Sequence, residues 1–428
     1  MVRERSRPSQ RGATTLVTVM VLFFVMALVA AYANRNLIVE QRIAQSYQLV
    51  GYATEANQQA VAHMLSLLNS GNINDQCVPD AAGAGTLRQR LLAINAEGSI
   101  DGVPGTKKAF PVDAPFVIAC DRERPGNWQC QCPSDFALDL LEDQGKATES
   151  FLVRLRLYPE VGNRGRLGLS VLACATASKD CEAVNSTGDL TATWRVQSLL
   201  LLRALKMPPT SPLIASGDVD LGTGMSVVLN EAAHGNVALQ AGGVVSGNLT
   251  RVRGPAGSPA SGAVLADVSS LVTPSDDQFF RLFFGMGISD YVLQPAMRRL
   301  ECEADCTDAL KQLVDSGIQM VWHEGDLSLD ANVAIGTLER PVLLVVRGAL
   351  TIAGPIRLTG IVVSTDNLIW TNASADPSLV QGALLVAGNV QADQGATALF
   401  DSTVINALKV QAGSFIPLPG GSLWEVKY

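Results

Sequence analysis

Between Arg11 and Arg35 the chain runs 23 residues without a charge, GATTLVTVMVLFFVMALVAAYAN. As a helix at 1.5 Å per residue this run reaches roughly 35 Å, enough to cross a hydrocarbon core of about 30 Å. Small and apolar residues then recur at steps of three and four, at Val39, Ile43, Tyr47, Val50, Ala53, Ala56, Ala60, Met64 and Leu67, and no proline occurs from Ala13 to Val78. That spacing predicts one helical face. The helix that begins in the apolar run is therefore expected to continue through 13–70 and to stop at Asn69, Ser70 and Gly71.

The pattern then changes. From Gly71 to about Thr148 glycine, proline and aspartate are frequent, which predicts a loop-rich stretch with one helix over TLRQRLLAINAE, Thr86 to Glu97. SFLVRLRLYPE, RGRLGLSVLACAT and LTATWRVQSLLLLRALK follow, β-branched and leucine-rich with partial alternation. They predict an antiparallel meander inside a unit spanning 71–206. The prolines of MPPTSP, Met207 to Pro212, mark a boundary.

Beyond it, 213–428 repeats loosely. ASGDVDLGTGMSVVL, WHEGDLSLDANVAIG, VVRGALTIAGPIRLTG and LVAGNVQADQGATAL each join a glycine- or aspartate-marked turn to short alternating strands, at a spacing near 20 residues. The spacing suits coils of a parallel β-helix-like solenoid, with Val219, Leu221, Leu327, Leu329, Leu350, Ile352, Val386 and Val390 pointing inward. An antiparallel sandwich with glycine turns is the alternative. FIPLPGGSLWEV, Phe415 to Val426, is expected to close one end of the stack. A helical insertion at 274–318 starts with a cap at Ser275 and places Phe279 with Phe283, and Phe280 with Phe284, on shared faces. These four rings either cover the solenoid or mark an interface with another component. The fold class expected is α+β: a long N-terminal transmembrane helix, an antiparallel sheet and a C-terminal solenoid.

The flanks orient the apolar run. Arg3, Arg5, Arg7 and Arg11 stand before it against Glu4 alone, which keeps the N-terminus cytoplasmic and the remainder periplasmic. Ala31 and Ala33 offer a small-x-small site, so removal as a signal remains open at this point. The N-terminus resembles the type IV pilin family, specifically the PilX-type minor pilins and pilus-assembly proteins. The resemblance rests on Arg11 and Gly12 followed by Ala13, the apolar run, and the amphipathic outer half. It implies a cytoplasmic leader of residues 1–12, a cut by a prepilin peptidase between Gly12 and Ala13, and retention of the helix. It also implies a sheet packed on the helix, other pilins and assembly proteins as partners, and residence in the bacterial inner membrane before display on a cell-surface pilus. Ala13 and Val17 stand where most pilins carry an aromatic residue and a glutamate, which suits a subunit of initiation or the tip better than one of the shaft.

Eight cysteines, at 77, 120, 130, 132, 174, 181, 302 and 306, all follow the membrane run. An even set in an exported region predicts disulfides. Cys174 with Cys181 and Cys302 with Cys306 are close enough to pair locally, whereas Cys77, Cys120, Cys130 and Cys132 allow three pairings. CQC lacks the two-residue gap of a zinc knuckle, and His63, His234 and His323 lie far from it in sequence, so no metal and no cofactor is expected. Net charge is −8 over 428 residues with no basic cluster, which argues against nucleic acid. Asp218, Asp220, Asp326, Asp330 and Asp366 are the only candidates for paired-carboxylate chemistry, and Asp218 and Asp326 follow glycine where turns need a short acceptor. No catalytic residue is assigned. The function expected is structural, in type IV pilus assembly with an adhesive or tip module. A membrane-anchored binding module, a carbohydrate-active protein and a type II secretion minor pseudopilin are the alternatives.

Overall fold

The computed structural model describes residues 11–95, 98–102, 118–123, 126–132, 149–157, 165–176, 181, 192–259, 262–272, 275–393 and 395–425. The fold is α+β, with one long apolar helix, an antiparallel sheet and parallel sheets. The helix, α1, is unbroken over the 58 residues Arg11–Leu68. Up to about residue 52 most of it is exposed; from Ala53 onward one face is buried, through Ala53, Ala56, Asn57, Ala60, Val61, Met64, Leu67 and Leu68. The alanines at steps of three and four let the helix lie close to the strands Glu149–Leu157, Arg166–Cys174 and Ala192–Arg203. Met64, Leu67 and Leu68 each contribute roughly 1.5–3 kcal/mol by burial.

The antiparallel sheet has six described strands, in the order Gly413–Glu425, Ala192–Arg203, Arg166–Cys174, Glu149–Leu157, Ile118–Arg122, Gln129–Gln131. Its centre is the meander expected from alternation. Its two outer parts are not what the pattern indicated. Ile118–Arg122 and Gln129–Gln131 come from the stretch read as loops, and the helix expected over 86–97 is short. Thr86 caps Leu87–Leu91 in a reciprocal box with Gln89, after which Leu92 turns extended and Leu92–Ile94 pairs antiparallel with Ile100–Gly102.

The end of the chain is a second correction. Phe415 and its neighbours do not close the parallel unit: Gly413–Glu425 pairs with Ala192–Arg203, Gly413 opposite Arg203 and Phe415 opposite Leu201. Pro417 is tolerated because this is an edge strand, and the register shifts between Pro417 and Ser422. Everything between Arg203 and Gly413 is therefore inserted between two neighbouring strands of the antiparallel sheet.

Within that insertion the strands run parallel but out of chain order. Leu213–Ala215 pairs on one side with Leu239–Ala241 and on the other with Ser378–Val386. The segment that enters first thus sits in the middle. The chain moves outward through Leu239–Ala241 to Val264–Leu265, crosses over, and restarts at the far edge with Met297–Arg299. It returns inward through Met320–Glu324, Val342–Arg347, Arg357–Ser364 and Ser378–Val386. The stretch 274–318 is this crossover, and it carries a strand as well as helices. A second parallel sheet runs alongside in the order Leu327–Leu329, Leu350–Ile352, Leu368–Trp370, Val390–Ala392, Val219–Asp220, Val245–Ser246. Leu327, Leu350, Leu368, Val390 and Val219 stand in one buried row.

The corner joining the two sheets explains the glycine spacing. Asp326 Oδ1 accepts from Ala349 N, Asn367 Oδ1 from Asn389 N, Asn389 Oδ1 from Asp218 N, and Asp218 Oδ1 from Val244 N, at 2.8–2.9 Å. Each short side chain thus satisfies the backbone of the next strand connection. A glycine lies where it passes: a Cβ on Gly348 would stand 2.7 Å from Asp326 Oδ1, and one on Gly388 2.8 Å from Asn367 Oδ1, while Gly217 and Gly243 are closer still to Asn389 and Asp218. Gly388→Ala is expected to cost about 1–3 kcal/mol through overpacking. Asn367→Ala, which loses one hydrogen bond, is expected to cost about 1 kcal/mol. Denaturant melts of the two variants check the order.

Candidate functional site

Two features of α1 make it the candidate site. The first is its exposed apolar half. Leu16, Val19, Met20, Phe23, Phe24, Met26, Leu28 and Val29 are all exposed, Phe23 by 75%, and the most apolar window of the helix has a mean hydropathy of 2.6 with none of it buried. By length and composition the helix can cross a membrane. A patch of this size exceeds what a chain leaves in water without a lipid or protein partner. Gly12 and Ala13, the expected cleavage pair, lie in the first turn of the helix.

The second feature is the joint at its other end. Asn69 follows the last helical residue; its Nδ2 donates to Leu65 O and Phe415 O, both at 2.9 Å, and its Oδ1 accepts from Phe415 N at 2.8 Å. A side-chain amide so placed pairs with the edge strand as another strand would. Arg88 adds a second tie, donating to Asn69 Oδ1 at 2.7 Å, to Leu68 O and to Gln411 O, with its guanidinium 4.8 Å from the Phe415 ring centroid. Burial lowers the Arg88 pKa to about 9, so it stays charged at neutral pH. The parallel unit is attached at the same place. Arg298 Nη2 donates to Asn69 O at 3.1 Å, and Asn72 N donates to Ser316 O at 2.7 Å.

Where its buried face begins α1 is fixed by polar contacts too. Asn57 Nδ2 donates to Thr193 O at 3.2 Å, and Thr193 Oγ1 to Ala53 O at 3.1 Å. Arg122 pairs with buried Glu149 at 2.7 Å and with Glu55 of the helix at 3.6 Å, and lies over the Trp128 ring. Trp128 Nε1 donates to Gln59 Oε1 at 2.7 Å.

The remaining candidates fall as follows. Phe279, Phe280, Phe283 and Phe284 are 1–7% exposed, so they are core and not a free interface. Their helix, Asp276–Phe284, is amphipathic and turns this face inward: Phe280 stacks on Phe284 at 4.1 Å, and both meet the edge of Tyr291. The Tyr291 hydroxyl donates to Ala204 O at 2.9 Å, and burial pushes its pKa well up. The sulfurs pair as Cys77–Cys132, Cys120–Cys130, Cys174–Cys181 and Cys302–Cys306. His63 stands beside Cys120 and Cys130, and His323 beside Cys302 and Cys306, but in both groups the sulfurs are bonded to each other and not available as thiolate ligands. Asp218 and Asp326 serve the corner described above, Asp220 accepts from Gly222 N and Asp366 from Asn367 N, each at about 3 Å. Sequence reasoning gave Asn69 only a stop signal; its partners Arg88 and Phe415 are 19 and 346 residues away, and no local pattern points to them.

No family model matches this chain, and no curated protein matches it. Among solved structures, the competence-associated pilin ComZ from Thermus thermophilus is similar at 8% identity, over 89% of this chain and 97% of that one, with a TM-score of 0.22.

Asn69→Ala is expected to destabilise the chain by about 1–3 kcal/mol, because the buried Phe415 N–H loses its acceptor. Asn69→Asp keeps an acceptor for Phe415 N and Arg88 but sets its other oxygen against Leu65 O and Phe415 O, where Nδ2 donates, and is expected to cost at least as much. Thermal melts of the two variants against the parent give the comparison.

Proposed function

We propose that the chain is a minor-pilin-like structural protein, of the PilX type, that takes part in type IV pilus assembly at initiation or at the tip. The observation that carries this reading is the division of one unbroken helix: its first half is apolar and uncovered, and its last third is built into the globular core. A membrane anchor needs only the first half. A subunit that must carry a folded domain out of the bilayer needs both, because the element that exchanges lipid for neighbouring helices has to be rigidly continuous with its cargo. The basic residues before Gly12 hold the leader in the cytoplasm, a prepilin peptidase removes residues 1–12, and Ala13 becomes the mature terminus. The globular part stands in the periplasm, with the disulfides closed there.

The inserted parallel unit is read here as the β-helix-like display module, carried on the antiparallel sheet by two adjacent strands. The role is structural and not enzymatic: Asp218, Asp220, Asp326 and Asp366, four of the five aspartates that a carbohydrate-active solenoid would use on neighbouring turns, accept hydrogen bonds from backbone amides. Fibres sheared from fibre-producing cells are expected to contain this chain in small amounts beside the main subunit. If it stays wholly in the membrane fraction, the chain is an anchored periplasmic module. Its appearance only in secretion-system fibres makes it a minor pseudopilin.

A further inference from the structure

Of the three histidines, His63 is placed on a disulfide with no competing partner among the described residues. Its Nε2 lies 3.6 Å from Cys130 Sγ. Cys130 is half-buried on Gln129–Gln131, the outermost of the described strands, directly opposite Cys120, which is fully buried on Ile118–Arg122. The imidazole therefore lies against the less deeply buried cysteine of this pair. The other Cys/Cys/His group lacks this arrangement. His323 Nδ1 faces Leu300 O at 3.0 Å and its Nε2 faces Asp326 O at 3.1 Å, so both nitrogens are engaged, and Cys302 Sγ lies 4.0 Å away.

We infer that Cys120–Cys130 is a thiol–disulfide exchange site, with His63 as the proton acceptor for Cys130 and a disulfide-bearing oxidant, small or protein, as its co-reactant. In the oxidising direction the Cys130 thiol gives its proton to His63 Nε2, and the thiolate attacks one sulfur of the oxidant. That S–S bond breaks, one thiolate leaves, and a mixed disulfide forms on Cys130. The Cys120 thiol, as its thiolate, then attacks Cys130 Sγ and expels the second thiolate. Two electrons pass to the oxidant and the two thiol protons go to the departing thiolates, one by way of His63. In reverse, an external thiolate attacks Cys130, since burial shields Cys120.

Three further observations support the site. Burial lowers the His63 pKa in the disulfide-closed chain, where no thiolate faces the ring, so the resting imidazole is neutral at neutral pH. The charged groups on the elements packed around it are Arg122, Glu149, Glu55 and Asp121, and the Arg122 cation, which would otherwise oppose a positive charge on the ring, is paired with Glu149 and Glu55. The strand Gln129–Gln131 also has a second fastening, because Cys132 is bonded to Cys77 and Cys132 N donates to Asp75 O at 3.0 Å, while Trp128 packs edge-on against Phe151. Opening Cys120–Cys130 therefore leaves the strand in place.

The test uses the full chain in detergent with Cys120→Ser, which leaves Cys130 as a single free thiol, and follows its alkylation by iodoacetamide against pH by mass spectrometry. Cys130 is expected to show an inflection below the ordinary thiol value of about 8.5 and to react at pH 7 roughly tenfold faster than in the Cys120→Ser/His63→Gln chain. Selectively reduced chain without substitutions, reoxidised by glutathione disulfide with and without His63→Gln, gives the same comparison should Cys120→Ser fold poorly, and closed Cys77–Cys132 reports an intact strand in each sample. An ordinary thiol profile, or equal rates with and without His63, overturns the assignment.

Discussion

Burial of one face of α1 from Ala53 to Leu68 holds the three parts of the molecule in a fixed relation. Met64, Leu67 and Leu68 of the helix share one buried cluster with Phe151, Val153, Leu169 and Val171 of the antiparallel sheet, and Ile73, Leu87 and Leu91 join it. The alanines set the distance between the two, and Asn57 and Asn69 set the position along the axis through hydrogen bonds to strand backbone. The parallel unit depends on the same joint, since it is inserted between the two strands nearest Asn69 and touches the helix end through Arg298 and Asn72. A displacement of the helix would therefore move all of it together.

The parts of the fold that follow from local periodicity were legible in the sequence. A proline-free stretch with a stripe at steps of three and four gave α1; alternation gave the three central strands; Leu327 with Leu329, and Leu350 with Ile352, gave buried rows. Pairing order was not legible. Val390 could stack on any residue of like size and parity, and nothing near it in the chain says that its neighbour is Val219. The same holds for Phe415: prolines at 417 and 419 read as the end of a domain, while the strand is placed by Asn69 and Arg88, hundreds of residues earlier. The phenylalanine pairs were legible as a face, and only the packing against Tyr291 and Ala204 decided that the face turns inward.

The corner of the parallel unit shows why glycine and aspartate carry so much of the repeat signal. The aspartates at 218 and 326 and the asparagines at 367 and 389 accept from the next backbone amide, and the glycines leave room for them. Carboxylates committed in this way serve the backbone of the turns, and a search for paired acids in the sequence meets them for that reason. At the candidate site the apolar half of α1 was legible as a membrane-length run. Its rigid continuity with the core was legible only in outline, because the fastening residues act across long separations.

The central claim is that the apolar half is retained and serves assembly, and the mature N-terminus tests it most directly. Mass spectrometry of the chain from cells with and without a prepilin peptidase is expected to find a start at Ala13, N-methylated, only where the peptidase is present. A start at Met1 or Val2 in both, or a start after Ala33, would contradict it.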